Sequence, residues 1–201
     1  MRKLKVFLAV LLASLSLHIY PSEIDSLLRE LDMSIRNRPQ YTLKRQEQID
    51  ALQRKLRLSH SDQERYDLYR ELFGKYRSYR MDSALWVANQ RVELAKRMKN
   101  PLYIRSAELN IAEVMIGVAM YKEGLEILDG IKSADLDASG VSYYYYQYHQ
   151  VYTLMADYAF SDQMKEHYRG LAYQYILSII CLRRPVSQGY VLMMCVKLVY
   201  E

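Results

Sequence analysis

Apolar residues recur with a helical period along most of the chain, and short polar turns interrupt them at a fixed interval. Three of these turns lie 40 residues apart, at Met81-Asp82-Ser83-Ala84, Tyr121-Lys122-Glu123-Gly124 and Ser161-Asp162-Gln163-Met164. An apolar-periodic segment precedes and follows each turn, so the repeating unit is a pair of helices. An interval of this size in an all-helical chain is typical of stacked helical repeats. We therefore predict an all-α solenoid with about three helical hairpins over residues 61–182.

Residues 22–60 predict an N-terminal helical pair that precedes the hairpins. Ser22 can cap the first helix, which carries one narrow apolar stripe. The stripe consists of Ile24, Leu27, Leu28, Leu31 and Ile35. Pro39 is predicted to end this helix, and a second helix follows from about Tyr41 to Leu58. We expect the pair to cap the stack of hairpins.

Several hairpin helices begin with residues that favour helix starts. Ser61-Asp62-Gln63-Glu64 fits the capping box, in which the serine hydroxyl and the glutamate carboxylate satisfy free backbone N–H groups. Asp82 or Ser83 is predicted to cap the second helix of this first hairpin. Asn100-Pro101 ends that helix and starts the next one, with proline in its first turn.

The second and third hairpins differ in composition. Small residues in the second hairpin predict that its two helices approach closely; they are Ala107, Ala112, Gly117 and Gly124. The third hairpin is predicted to begin near Val141, after a loop at residues 135–140, and it is rich in tyrosine. Its tyrosines include Tyr143, Tyr144, Tyr145, Tyr146, Tyr148 and Tyr152. We interpret this run as mainly structural, with buried rings and hydroxyls that reach the surface; tyrosines exposed in a groove would instead anchor a peptide.

The last residues of the chain do not complete another hairpin. Pro185 breaks the preceding helix, and residues 186–200 have the pattern of one more apolar helix. The repeat interval places the next turn near position 204, beyond Glu201. We predict that residues 183–201 form an unpaired apolar helix from a truncated fourth repeat. The alternative is a chain that needs a partner there, with self-association through this helix as one form of it.

The second hairpin resembles a tetratricopeptide repeat in two places. Ile111-Ala112 matches the apolar-small pair of the first helix, and Tyr121-Lys122-Glu123-Gly124-Leu125-Glu126-Ile127-Leu128 matches the pattern of the second helix. The other two hairpins match more loosely, and the interval of 40 residues exceeds the usual 34 of the family. The resemblance implies a right-handed solenoid with a concave groove that binds a protein or peptide.

A narrower resemblance concerns the order of the segments. A basic and apolar N-terminus, a helical pair, tyrosine-rich repeats and the sequence from Tyr79 to Ala84 are similar to bacterial envelope proteins that act as transmembrane regulators or sensors. In those proteins periplasmic repeats precede one membrane span and a cytoplasmic output part. The resemblance implies that this chain is the truncated sensor portion of such a regulator.

The N-terminus itself indicates export. Arg2-Lys3-Leu4-Lys5 is a basic segment, and Val6 to Leu17 is an apolar run of the length found in secretory signal peptides. Ser14 and Ser16 offer a cleavage site, so we predict a signal peptide at residues 1–21 and a periplasmic or envelope-associated protein. An uncleaved anchor that holds the chain near the membrane is the alternative.

The charge of the chain argues against nucleic-acid binding. The formal net charge is +5, but three of the 28 basic residues are Arg2, Lys3 and Lys5, which leaves 25 basic against 23 acidic residues. A chain this balanced lacks the basic surface that phosphate backbones require. We therefore expect a protein or peptide partner and no direct contact with DNA or RNA.

The sequence carries no pattern that indicates catalysis, a cofactor or a metal. His60, His149 and His167 lack the spacing of known zinc motifs, and no glycine-rich phosphate loop or nucleophile elbow is present. Cys181 and Cys195 are the only cysteines, and they fit either buried thiols or a disulfide bond. We predict a protein that is not an enzyme.

The repeat resemblance also implies which positions face the groove. In tetratricopeptide-like hairpins the first helix of each unit lines the concave face, on positions that flank the packing residues. These positions are Arg70, Arg77, Asn110, Glu113, Gln150 and Asp157. Their mixed charge suits a polar peptide or tail, and solvated side chains without a ligand are the alternative. The sequence thus predicts an exported interaction scaffold or sensing module.

Overall fold

The computed structural model describes residues 20–183, and it divides the chain into two compact units, residues 1–50 and 51–201. Eight α-helices and one 3-10 turn make up the regular structure of the described residues. They are α1 (Tyr20–Arg36), α2 (Arg38–Leu58), α3 (Asp62–Tyr76), α4 (Met81–Arg97), α5 (Pro101–Gly117), α6 (Tyr121–Asp129), the turn Ser133–Asp135, α7 (Ala138–Asp157) and α8 (Asp162–Arg183). The predicted all-α class is confirmed. Residues 1–19 of the predicted signal peptide, the predicted helix at 186–200 and Cys195 lie outside the described residues, and residues 20–21 begin α1.

The interval of 40 residues corresponds to one helical hairpin, as the sequence predicts. The second helix of each hairpin begins at one of the predicted turns, at Met81, Tyr121 and Asp162. Helices α3 and α4, α5 and α6, and α7 and α8 pack against each other as pairs. The first helices of successive hairpins, α5 and α7, also make contact. The second unit is therefore a stack of helical hairpins.

Two of the predicted helix starts are confirmed. The Ser61 hydroxyl accepts the backbone N–H of Glu64 at 3.0 Å, and the Asn100 side chain accepts that of Tyr103 at 3.2 Å, with Pro101 at the first helical position. In the first case the Glu64 carboxylate accepts the buried Ser59 hydroxyl at 2.7 Å. The bonds to Ser61 and Asn100 each satisfy an N–H group that the first turn of a helix leaves free. The glutamate half of the predicted capping box differs, because the Glu64 carboxylate accepts a side-chain hydroxyl in place of a backbone N–H.

Two other predictions about helix starts are wrong. Helix α4 begins at Met81 after Arg80, so Asp82 and Ser83 lie inside its first turn and neither is the cap. Asp82 still faces the positive end of the helix dipole, where a carboxylate is favourable. Helix α1 begins at Tyr20, so Ser22 lies inside its first turn and is not the cap. The predicted end of this helix before Pro39 is confirmed, because α1 ends at Arg36 and Pro39 lies in the first turn of α2, where a proline ring fits.

The start of the third hairpin also differs from the prediction. Helix α7 begins at Ala138, three residues before Val141, because the Asp137 carboxylate caps it. That carboxylate accepts the backbone N–H of Gly140 at 2.6 Å and the hydroxyl of Ser139 at 2.8 Å. These bonds hold the pKa of Asp137 below its usual value, with the Gly140 N–H as the main cause. The cap places the first turn of α7 beside α5.

The buried core of the second unit joins successive hairpins. One cluster consists of Leu109, Ala112, Ile116, Leu128, Ile131, Tyr148 and Val151, which come from α5, α6, α7 and the segment that follows α6. A second consists of Tyr66, Val92, Leu94, Ala95 and Ala107 from α3, α4 and α5. A Cβ atom at Gly124 would lie 2.8 Å from Cγ1 of Ile116, so glycine there permits the predicted close approach of α6 to α5.

The N-terminal unit differs from the hairpin stack in how much of its apolar side chains is exposed. The apolar stripe of α1 keeps more than half of each side chain's surface exposed, at Ile24, Leu27, Leu28, Leu31 and Ile35. Burial of that stripe in a packed cap at residues 22–60 therefore stays a prediction. None of the helices α1 to α8 is long and apolar enough to cross a membrane.

Two helices end with a residue in the left-handed conformation. Positive φ occurs at Lys99 (52°) and Ala119 (64°) after α4 and α5. In both turns the N–H of the left-handed residue and that of the next residue bond back to the last turn of the helix, as in a Schellman motif. Such a position normally holds glycine, because a Cβ atom is strained there.

We expect Ala119→Gly to stabilise the protein by about 1 kcal/mol, because it removes the strain of a side chain at positive φ. Ala159→Gly is the matched control, since Ala159 occupies the equivalent position after α7 without a positive φ. Glycine there should cost about 0.5–1 kcal/mol through the greater freedom of the unfolded chain. Urea unfolding of both variants checks the prediction, which a loss of stability in Ala119→Gly would contradict.

Candidate ligand-binding pocket

A pocket of about 460 Å³ opens on the first helices of the hairpins. Helices α3 and α5 form two of its walls, and the start of α7 forms a third. The walls combine the aromatic rings of Tyr66, Phe73, Tyr103 and Tyr143 with charged side chains. Its volume lies in the range of small-molecule and peptide-anchor sites.

The helical period explains why these side chains meet. Tyr66, Arg70, Phe73 and Arg77 are spaced by four, three and four residues, so they share one face of α3. Residues 102–103, 106 and 109–110 repeat the same spacing on α5. Because α3 and α5 are both first helices of their hairpins, the stacking of the repeats brings these two faces to one site.

Four of the six predicted groove residues come together here. Arg70, Arg77 and Asn110 line the pocket. The Glu113 carboxylate accepts a hydrogen bond from Arg77 at 3.0 Å and one from the hydroxyl of Tyr143. The prediction from the repeat register therefore places these side chains in one neighbourhood; their role in binding stays a prediction.

The remaining two predicted residues lie elsewhere on α7. Asp157 lines a separate, smaller depression of about 230 Å³ between α7 and α8, together with Thr153 and Arg169. Gln150 is half-buried. Neither residue lines the pocket on α3 and α5, because only the first turns of α7 reach that pocket and both residues lie in its later turns.

A chain of hydrogen bonds crosses the pocket floor and joins four helices. Arg91 of α4 donates through Nη1 to the side-chain oxygen of Asn110 on α5. The Asn110 amide donates to the Tyr143 hydroxyl of α7 at 3.4 Å, and that hydroxyl donates to Glu113. Arg77 of α3 completes the chain at Glu113, so α3, α4, α5 and α7 share one polar network.

Arg91 is the most unusual member of this network. It is 1% exposed, and its guanidinium carbon lies 4.4 Å from the centre of the Tyr66 ring. Tyr66 in turn stacks on Tyr103 with ring centres 4.5 Å apart and donates its hydroxyl to the Tyr103 carbonyl at 2.8 Å. Burial lowers the pKa of Arg91, yet a guanidinium stays charged in proteins.

The charge of Arg91 lacks an acidic partner. Among residues 20–183 no carboxylate lies within ion-pair distance of it, and its Nε has no hydrogen-bond partner. Arg91 is not among the predicted groove residues, although the sequence carries a signal for it. Arg91 falls on the same face of α4 as Ala84, Ala88 and Ala95, all fully buried. An arginine within a stripe of alanines marks a buried charge.

The structure confirms the structural interpretation of the tyrosine run for its central members. Tyr148 is buried, stacks on Tyr175 with ring centres 4.5 Å apart and donates to Asp129 at 2.5 Å. Tyr152 stacks on the same ring of Tyr175. Burial raises the pKa of Tyr175 to about 12. Tyr146, by contrast, is exposed.

The residues that could ligate a metal are dispersed. No group of three histidine, cysteine, aspartate or glutamate side chains able to hold an ion occurs in the part of the chain that the structure describes. His149 bonds through Nδ1 to the carbonyl of Ala172 at 2.9 Å, which joins α7 to α8. The groups that the pocket offers for binding are the N–H donors of its arginines, the amide of Asn110 and its aromatic rings.

The stacked hairpins with a pocket on their first helices define a tetratricopeptide-repeat domain. The family described as the SusR N-terminal TPR domain matches residues 35–201, and this chain belongs to that family. No curated protein and no solved structure matches the chain significantly. Tetratricopeptide-repeat domains are generally non-enzymatic scaffolds that bind protein partners.

We expect Tyr143→Phe to destabilise the protein by about 1–3 kcal/mol at neutral pH, because it leaves Asn110 and Glu113 without the bridging hydroxyl. Burial, and next the charge of Glu113, raise the pKa of Tyr143 above the usual 10.0. Its contribution is therefore complete below pH 10 and is lost as the pH rises beyond that value. The free energy of unfolding, measured by urea at a series of pH values above 10, should therefore decrease less steeply with pH in the variant than in the wild type.

Tyr158→Phe provides the control, because Tyr158 is 79% exposed. We expect this variant to match the wild type in both stability and pH dependence. Equal stability of Tyr143→Phe and the wild type at neutral pH would contradict a structural role for the network.

Proposed function

We propose that this chain is a non-enzymatic sensing or scaffold module that binds a peptide segment of a protein partner in the pocket on α3, α5 and α7. The observation that carries the proposal is the convergence of Arg70, Arg77 and Asn110 with aromatic rings in one pocket. The general role of tetratricopeptide-repeat domains in protein binding supports it.

The chemistry of the pocket suits a short peptide anchor. The rings of Tyr66, Tyr103 and Tyr143 are held by stacking and hydrogen bonds, and rigid aromatic contacts of this kind dominate binding energy at protein interfaces. Arg70 and Arg77 keep 63% and 49% of their side-chain surface exposed at the same site. A volume of about 460 Å³ accommodates one or two residues of a partner and leaves the rest of it outside.

We also propose that the module works in the cell envelope. The basic residues 2–5 and the apolar run at residues 6–17 support export. An exported module with a polar and aromatic pocket would meet its partner in the periplasm or at the membrane surface.

Gly74 offers a direct test, because it lines the pocket and a Cβ atom there would meet nothing within 4 Å. We expect a photo-crosslinking amino acid at position 74 to trap a defined partner protein in envelope extracts of the source organism. The pocket would lie within reach of the reactive side chain, so the trapped protein should be seen by mass spectrometry as a specific adduct.

The matched control is Gly170 of α8, where an added Cβ atom also meets nothing within 4 Å and which lies outside the pocket. The same amino acid at position 170 should not trap this partner. In addition, Arg70→Gln with Arg77→Gln should weaken the adduct at position 74, since it removes the exposed charges. Identical adducts from positions 74 and 170 would refute the pocket as the binding site.

A second candidate function is the truncated periplasmic sensor portion of a membrane-bound transcriptional regulator. The description of the matching family as an N-terminal domain supports it, because an N-terminal domain belongs to a longer protein. We expect the DNA downstream of codon 201 to encode, after a frameshift, a further helix, a membrane span and an output domain. Unrelated sequence downstream, in every reading frame, would rule out this candidate.

A further inference from the structure

The pocket wall contains one positive charge that no acidic side chain neutralises. Arg91 lines the pocket, is 1% exposed and has no carboxylate within ion-pair distance among residues 20–183. Its hydrogen-bond acceptors there are the side chain of Asn110 and the hydroxyl of Tyr66, and both are neutral. A buried charge without a counter-ion is rare in proteins, because removal from water is costly.

The nearby carboxylates already have other partners. Asp67 pairs with Arg70 at 3.2 Å, and Glu113 pairs with Arg77. Asp137 caps α7 through the N–H of Gly140. None of the three is therefore left to neutralise Arg91.

The Tyr66 ring compensates the buried charge only in part. The ring face attracts the guanidinium, and Asn110 accepts one of its N–H groups. The Nε–H group has no acceptor. Every other buried residue of α4 is apolar, so an apolar residue would fit the local pattern at position 91, and packing alone does not explain the arginine; these residues are Ala84, Val87, Ala88, Val92, Leu94 and Ala95.

We propose that Arg91 binds a carboxylate group of the ligand that enters this pocket. The inference rests on the proposed function and names the chemical group that the pocket recognises. A carboxylate carries one negative charge, which matches the one charge left unpaired, and its two oxygens match the planar fork of a guanidinium. A phosphate group would bring up to two charges.

A carboxylate in this pocket could come from two sources. One is the free C-terminus of a peptide or protein, and the other is a free organic acid. The aromatic rings of Tyr66 and Tyr103 beside Arg91 favour a ligand with an apolar or aromatic part next to its carboxylate. Both sources present the same group to Arg91, so probes that differ only in the rest of the molecule separate them.

The test uses the full chain labelled with ¹⁵N and follows the side-chain Nε–Hε signal of Arg91, which Arg91→Lys identifies by its loss. The probes are N-acetyl-Gly-Tyr with a free carboxylate, the same dipeptide as its C-terminal amide, 3-(4-hydroxyphenyl)propionate and inorganic phosphate. We expect the Arg91 signal to move with the dipeptide acid or with 3-(4-hydroxyphenyl)propionate. The amide should bind at least about tenfold more weakly than the acid, because it cannot offer two charged oxygens.

The probes also separate the two sources. Tighter binding of the dipeptide acid supports a peptide C-terminus, and tighter binding of 3-(4-hydroxyphenyl)propionate supports a free organic acid. Equal binding of acid and amide, an Arg91 signal that no carboxylate moves, or tighter binding of phosphate would overturn the proposal. The relative affinities of the acid, the amide and phosphate are measured on the wild-type chain alone, so they test the proposal even where Arg91→Lys fails to fold.

Variants give a second, independent measurement. Arg91→Lys keeps the charge but loses the planar fork, so it should weaken binding of the acid by about tenfold or more. Arg169→Lys is the control, because Arg169 is exposed, pairs with Glu166 on α8 and lies outside this pocket. Unchanged affinity of the acid for Arg91→Lys would overturn the role of Arg91.

Failure of this inference and failure of the proposed function give different results. An adduct at position 74 without a carboxylate response at Arg91 leaves the pocket as a partner site and overturns the carboxylate. A carboxylate response without any protein adduct at position 74 supports the carboxylate and overturns the peptide partner.

Discussion

The buried guanidinium of Arg91 is the constraint around which the hairpin stack is arranged. It contacts Asn110 of α5 and the ring of Tyr66 of α3, and Asn110 continues the chain to Tyr143 of α7. Four helices must keep their positions for these groups to meet. Because an unsatisfied buried charge or amide is costly, the network resists any shift of one helix past another.

The same network shapes the surface above it. Side chains of first helices that take no part in core packing point toward one site, because α3, α5 and the start of α7 belong to equivalent positions of successive repeats. The network is accessible at Arg77, while Arg91 is buried against the ring of Tyr66 and lines the pocket. A pocket built in this way combines aromatic rings with charged side chains, which is a suitable combination for the end of a peptide or a small acid.

Much of the fold could be predicted from local patterns. The turns at Met81, Tyr121 and Ser161 mark real helix starts to within one residue, because apolar spacing and turn chemistry act over a few neighbours. The caps proposed at Asp82 or Ser83 and the start near Val141 were wrong for the same local reason. Several polar residues compete for each cap, and the choice depends on where the chain enters the helix.

The sequence by itself determined the all-α repeat, which follows from the period of one helix, whereas the resemblance to tetratricopeptide repeats pointed to the four residues that meet at the pocket, Arg70, Arg77, Asn110 and Glu113. Only the tertiary structure decided that Gln150 and Asp157 lie apart from them, and that Arg91 and Tyr143 belong with them. Those relations join residues that are distant in the sequence, and they depend on how far along α7 the neighbouring hairpin reaches. The periodicity of side chains cannot predict which turns of α7 contact the neighbouring hairpin, because the pattern is the same in every turn of a helix.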